Sequence, residues 1–161
     1  MKFLAVVEVP KGSRNKYEMD HSTGRLRLDR QLFTATRYPA DYGFIPGTLG
    51  EDGDPLDVLV LLDEPTFPGC EIECRALGLV RMRDEKGPDA KVLAVPTWDK
   101  RTNWTNLSQV PELVRHEIVH FFQIYKDLEA GKSTTVEGWA TRASAEAEIR
   151  RARKRHAGNV S

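Results

Sequence analysis

Asp52-Gly53-Asp54-Pro55-Leu56-Asp57 places three carboxylates inside one short turn. Gly53 and Pro55 supply the turn chemistry, and an apolar stretch begins at Val58. Like charges held this close repel and raise one another's pKa, so the arrangement is costly unless a cation sits among them. A second acidic group, Asp84-Glu85 followed by Asp89, also falls in a turn between strands, with Lys91 two residues further on. Two acidic turns at strand ends can face a common cleft. Hard carboxylate oxygens without a Cys or His set favour Mg²⁺ or Mn²⁺ over zinc or copper, and Mg²⁺ keeps waters that chemistry can use. The first turn is not an EF-hand: counted from Asp52, an oxygen ligand is needed where Leu56 stands and a glycine where Asp57 stands.

Groups able to face an anion are also present. Lys16 shares a strand face with Glu18, Arg30 follows, Tyr38 and Tyr42 flank Pro39, and Tyr125 precedes Lys126. Singly, such residues are surface solubilisers or rim aromatics. Together with the acidic turns they form a candidate site for a polyanion and its counter-ions. His21 is either a turn residue or one that approaches the cleft from the Lys16–Asp20 strand.

The elements that must position these side chains are mostly strands. Phe3 to Val9 is an apolar strand; Lys16 to Asp20 and the alternating Arg25 to Asp29 form a hairpin around His21-Ser22-Thr23-Gly24. Val58 to Leu62, Glu71 to Met82 and Val92 to Val95 are further strands, separated by Pro65, Pro68-Gly69 and Gly87-Pro88. Several short strands with this punctuation suggest a small closed or partly closed barrel. Beyond Pro111 the period becomes helical, with Val114, Ile118, Phe121, Phe122 and Tyr125 on one face. A second helix is expected from Thr141 through Ala145, Ala147 and Ile149 to a basic run ending at His156, its cations at the favourable end.

The chain has 161 residues, enough for one domain with a real core, since domains typically run ~100–150 residues. Lys plus Arg and Asp plus Glu both number 24, so no global field draws in nucleic acid or an anionic membrane. The apolar run Met1 to Val7 turns polar at Glu8, too short for a signal peptide or a membrane span, and a cytoplasmic location is expected. Cys70 and Cys74 are expected to be reduced thiols, being too far apart along a strand for an easy disulfide and forming no CxxC pair.

The chain resembles a family I soluble inorganic pyrophosphatase of the prokaryotic type. The Asp-x-Asp-Pro-x-Asp signature is met by Asp52 to Asp57 and followed by an apolar strand. Lys16-Tyr17-Glu18, Asp29-Arg30, Tyr38-Pro39-x-Asp41-Tyr42-Gly43, Asp84-Glu85-x-Gly87-x-Asp89-x-Lys91 and the run His120 to Glu129 match as well, in order and at family-like spacing. The resemblance implies a mainly β, α+β fold: an OB-like five-stranded β-barrel with flanking C-terminal helices in one domain, residues 1–161. It implies hydrolysis of inorganic pyrophosphate to two phosphates with several Mg²⁺ ions, Mn²⁺ or Zn²⁺ being substitutes, in a homohexamer. Carried over position by position, Asp52, Asp57, Asp84 and Asp89 would be metal ligands, with Glu8 and Glu18 serving an outer ion or its waters. Asp54 would orient and deprotonate the attacking water, with Asp89 a competing proton acceptor; Lys16, Arg30, Tyr42, Lys91, Tyr125 and Lys126 would hold phosphate oxygens.

Three rivals are weaker. His116-Glu117-Ile118-Val119-His120 matches the H-E-x-x-H pattern of zinc hydrolases, but Gln123 and Lys126 stand where the metzincin extension needs Gly and His. An OB-type binding module fits the barrel and the basic tail but not the neutral charge and acidic turns. Gly131-Lys132-Ser133 fails as a P-loop because the first glycine would fall at Lys126.

Overall fold

The computed structural model describes residues 1–159. In chain order the strands are β1 (Phe3–Val9), β2 (Asn15–Asp20), β3 (Arg25–Gln31), β4 (Asp41–Phe44), β5 (Asp57–Val60), β6 (Glu71–Asp84), β7 (Gly87–Pro88) and β8 (Lys91–Pro96). Helix α1 (Glu112–Ile124), β9 (Thr134–Ala140) and α2 (Arg142–Asn159) follow. Five strands form a ring in the order β1-β4-β5-β8-β6, and β6 returns to pair with β1. Every pairing in the ring is antiparallel except β5 with β8. β2 and β3 make a separate hairpin, and β7 and β9 extend β6. This is the mainly β, OB-like barrel with helices that the sequence implies.

Alternation along β5 and β8 explains why the ring is buried on both faces. Val58, Val60, Val92 and Ala94 join one cluster, sealed by Ala145, Ile149 and Ala152 of α2. Leu59, Leu93 and Val95 join a second, sealed by Ile118, Phe121 and Phe122 of α1. Burying each valine, leucine, isoleucine and phenylalanine among them is worth about 2 kcal/mol, which is why the helices stay docked. Gly43 allows β1 and β4 to close: a Cβ there would lie 1.8 Å from the Val6 carbonyl oxygen.

Some expectations need adjustment. Pro111 caps α1 rather than entering its first turn, accepting the Arg115 N–H through its carbonyl at 3.2 Å. Tyr125 ends that helix as its C-cap. Beyond Pro111 the chain is not wholly helical: β9 pairs with β6 from Leu79 to Asp84, through a bulge beside Met82. Its mixed Thr, Glu and Gly content gives little apolar periodicity to read, and the partner strand supplies the ladder instead. Cys70 and Cys74 are free thiols, and burial pushes the Cys74 thiol up to about 12.

Candidate active site

The acidic turn between β4 and β5 is built by short-range bonds. Gly53 takes φ +88°, a conformation glycine adopts freely, and the Asp54 N–H donates to Asp52 Oδ1 at 3.0 Å. Thr48 braces the turn's far end: its hydroxyl donates to the Ile45 carbonyl and accepts the Leu56 N–H. The second acidic turn is a tight hairpin, β6 passing Asp84 to β7 at Gly87, with the Asp89 N–H on the Met82 carbonyl at 2.8 Å. Because β5 and β8 run parallel, Asp57 lies directly opposite Lys91, so both turns open on the same side of the ring.

They meet in a cleft of about 400 Å³. The thirteen residues to which the family resemblance assigns roles all line it: Glu8 from β1, Lys16 and Glu18 from β2, Arg30 from β3, Tyr42 from β4, Asp52, Asp54, Asp57, Asp84 and Asp89 from the two turns, Lys91 from β8, and Tyr125 and Lys126 after α1. His21 lines it too, edge-on to Phe44 with ring centroids 4.8 Å apart. Tyr38 does not line it. Its ring stands behind Tyr42, 5.4 Å away, and against Phe121 at 4.7 Å.

Lys91 is the hub of the acidic wall. Its ammonium, on a side chain only 2% exposed, donates to Tyr42 Oη and Asp57 Oδ2 at 2.9 Å each and reaches Asp89 Oδ2 at 3.1 Å. Burial opposes that charge, but Asp57, Tyr42 and Asp89 outweigh it and keep the ammonium protonated. Burial also pushes the phenols of Tyr42 and Tyr125 well above their usual range, so both remain donors at neutral pH. On the opposite strand pair, Lys16 Nζ bonds Glu18 at 2.9 Å and Asp29 at 3.4 Å. Arg30 bonds Asp29 and presents two guanidinium nitrogens to Glu129, at 2.9 and 3.2 Å. Lys126 lies between Asp84 at 3.8 Å and Glu85 at 3.6 Å.

Two carboxyls on the cleft are pushed towards their neutral form. Burial pushes Glu8 up to about 7; its bond from the Met19 N–H at 2.7 Å opposes the shift and Asp57 adds to it. Burial likewise pushes Asp52 up to about 6, against the Asp54 N–H, with Asp89, Asp57 and Asp54 adding to the rise. As the side chains stand, no three acidic, imidazole or thiol groups among the described residues close into an ion cage. Lys91 holds Asp57 and Asp89 instead. The donor set nevertheless fits a hard divalent cation: it is all carboxylate, it converges from two turns, and a cation would favour the ionised form that burial and the neighbouring carboxylates disfavour at Glu8 and Asp52. Asp54 differs from its neighbours, since its carboxylate bonds to no protein group among the described residues.

Further charged residues on the cleft were assigned no role from the sequence, among them Asp29, Glu85 and Lys132. Glu85 and Lys132 pair at 3.4 Å across its rim, and Asp29 holds Lys16 and Arg30. Glu129 lies behind them and orients Arg30. Asp29 and Glu129 fall within the family-like runs Asp29-Arg30 and His120 to Glu129, but Lys132 carries no sequence signal beyond a failed P-loop match. His116 and His120 of the H-E-x-x-H pattern are exposed on α1, away from the cleft, and His116 faces Glu112 at 3.5 Å.

The acid-lined, cation-ringed cleft has the charge arrangement to hold a small polyanion together with divalent ions. The family model described as Inorganic pyrophosphatase matches residues 5–157. The inorganic pyrophosphatase of Streptomyces coelicolor is 61% identical over 156 residues, 96% of each chain, and that of Leifsonia xyli is 60% identical over 144 residues, 88% of this chain and 87% of its own. The inorganic pyrophosphatase structure from Thermus thermophilus superposes with a TM-score of 0.94 at 51% identity, over 96% of this chain and 91% of that one. The Helicobacter pylori enzyme gives 0.93 at 38% identity, over 96% and 93%. The chain belongs to the inorganic pyrophosphatase family.

Proposed function

We propose that this cleft hydrolyses inorganic pyrophosphate to two phosphates by attack of a water whose proton passes to Asp54. The activity is that of the family, and the observation that carries the residue assignment is that acids from two turns and cations from β2, β3, β8 and the end of α1 share one cleft. Asp52, Asp57, Asp84 and Asp89, with Glu8 and Glu18 further out, would hold divalent ions, for which their hard oxygens favour Mg²⁺. When bound, such ions neutralise the substrate's charge and acidify water.

The chain's own groups do the rest. Asp54 has a carboxylate free to accept a proton, whereas Asp89 is engaged by Lys91, which makes Asp54 the better acceptor. Lys16, Arg30 and Lys126 offer charge to phosphate oxygens, Tyr42 and Tyr125 offer buried hydroxyl donors as charge develops on the leaving phosphate, and Lys91, its three N–H groups engaged by Tyr42, Asp57 and Asp89, adds its positive charge behind them. Arg30, held by Glu129, presents its fork in a set orientation.

In this reading the chain is one domain that assembles as a homohexamer in the cytoplasm; among the described residues no helix is long and apolar enough to cross a membrane. The deciding experiment is phosphate release from pyrophosphate, polyphosphate and ATP, with and without Mg²⁺. Release from pyrophosphate that needs Mg²⁺ is expected. Release unaffected by chelation would remove the metal ligands from their roles.

A further inference from the structure

The turn that carries Asp52 and Asp54 is tied to a part of the chain remote from the cleft. Leu49, where the turn begins, gives both backbone groups to α2: its N–H donates to the Ala152 carbonyl at 2.9 Å, and its carbonyl accepts from Arg155 Nη1 at 2.7 Å. The same Leu49–Gly50 peptide reaches the other way, because the Gly50 N–H donates to the Asp54 carbonyl at 2.6 Å. One peptide plane therefore joins Arg155 to the backbone of Asp54. Rotating it would break both bonds, and each polarises the other.

Arg155 is itself held. Its Nη2 lies 3.8 Å from Glu148 and 4.0 Å from Glu51, and Glu148, nearly buried on α2, also takes Arg151 at 2.6 Å. Behind the turn is a cavity of about 180 Å³, lined in part by Gly50, Asp52, Pro55, Arg81 and Glu148. Side-chain packing does not back the turn there, so polar ties must hold it against the repulsion among its own carboxylates.

We propose that Arg155 is a positioning residue for pyrophosphate hydrolysis: by holding the Leu49 carbonyl it sets the turn from which Asp52 and Asp54 enter the cleft. The inference rests on the roles given above to those two aspartates. It predicts that α2 tunes metal affinity although none of its side chains reaches the substrate. Such supporting contacts change metal affinity by roughly tenfold or more when removed.

The test is Arg155→Met, which keeps the aliphatic stem and helix propensity but donates nothing to Leu49. Two readouts are independent of turnover: Mg²⁺ affinity by calorimetry, and hydrogen exchange at the Gly50 amide. Mg²⁺ affinity is expected to fall roughly tenfold, the Gly50 amide to exchange faster, and half-maximal activity to need correspondingly more Mg²⁺. Arg155→Lys, which restores a charged donor, should recover most of each, and Arg151→Ala, which touches Glu148 but not Leu49, should match the wild type. Arg155→Met with wild-type Mg²⁺ affinity and Gly50 exchange overturns the proposal. So does an Arg155→Met protein that fails to fold, or an equal defect in Arg151→Ala, since either makes the role one of helix stability. A wild-type protein that releases no phosphate from pyrophosphate would instead refute the activity itself, leaving the Gly50 exchange result to judge the tie.

Discussion

Among five aspartates in the cleft, environment separates the roles. Asp57 and Asp89 share the Lys91 ammonium, Asp84 faces Lys126, and Asp52 takes the Asp54 N–H, whereas the Asp54 carboxylate is open. Asp54→Asn is therefore expected to lower kcat by about a thousandfold while leaving KM and Mg²⁺ binding near wild type. Steady-state kinetics at saturating Mg²⁺ checks this, and a near-normal kcat would transfer the proton to another group. Arg30 depends on its planar guanidinium: Nη2 donates to Glu129 at 3.2 Å while Nη1 donates to Asp29 on the other side. Lysine cannot reproduce that geometry, so Arg30→Lys should raise KM for pyrophosphate by about tenfold despite the retained charge. An unchanged KM would mean that charge alone suffices at that position.

At the scale of elements, the site depends on how closely strands approach and on which strands are parallel. Gly43 lies where β4 crosses under the Val6 carbonyl, and no side chain can be accommodated without moving β1. Gly43→Ala is expected to destabilise the protein by about 3 kcal/mol, read as a lower midpoint in urea. A melt indistinguishable from wild type would show that β1 can shift freely. The same displacement would carry Glu8 away from Met19, so activity should fall together with stability. The parallel pairing of β5 with β8 puts Asp57 beside Lys91, and this register was not legible in the residues. Both runs read as apolar strands, but apolar content does not name a partner or a direction. β9 was missed for a related reason, its ladder coming from β6 rather than from its own side chains.

For the whole molecule, the concentration of carboxylates makes stability depend on pH and on cations. Glu8 ionises near 7 in the fold against 4.5 in a free chain. Below both values it is protonated in both states. As pH rises from the lower to the higher, the unfolded chain releases its proton first, so stability falls across that window and the loss is complete above it. Asp52 shifts in the same direction, up to about 6. In EDTA the unfolding free energy should thus fall between pH 4.5 and 7.5 by on the order of 3 kcal/mol from Glu8. Millimolar Mg²⁺ should flatten the slope and raise Tm, because an ion bound only by the native state stabilises it. Denaturant titrations across that range, with and without Mg²⁺, test both; a flat metal-free profile would show that Glu8 keeps enough solvent to ionise normally.

Residue types and their spacing were sufficient to name the two acidic turns, the lysines, arginine and tyrosines that accompany them, the strand-rich barrel, the apolar face of the first helix and the presence of the second. Each is a local property, written in turn chemistry or in a period of two or three to four residues. Only the folded chain decided what meets what. It placed Lys91 between Asp57 and Asp89, put Tyr38 behind the cleft rather than on it, drew Lys132 to Glu85, and fastened the first acidic turn to Arg155. The contacts of Lys91 with Asp57, Lys132 with Glu85 and Leu49 with Arg155 join residues far apart in the chain, and they follow from strand partners and helix docking, which are set by burying the whole apolar surface at once rather than by any one segment.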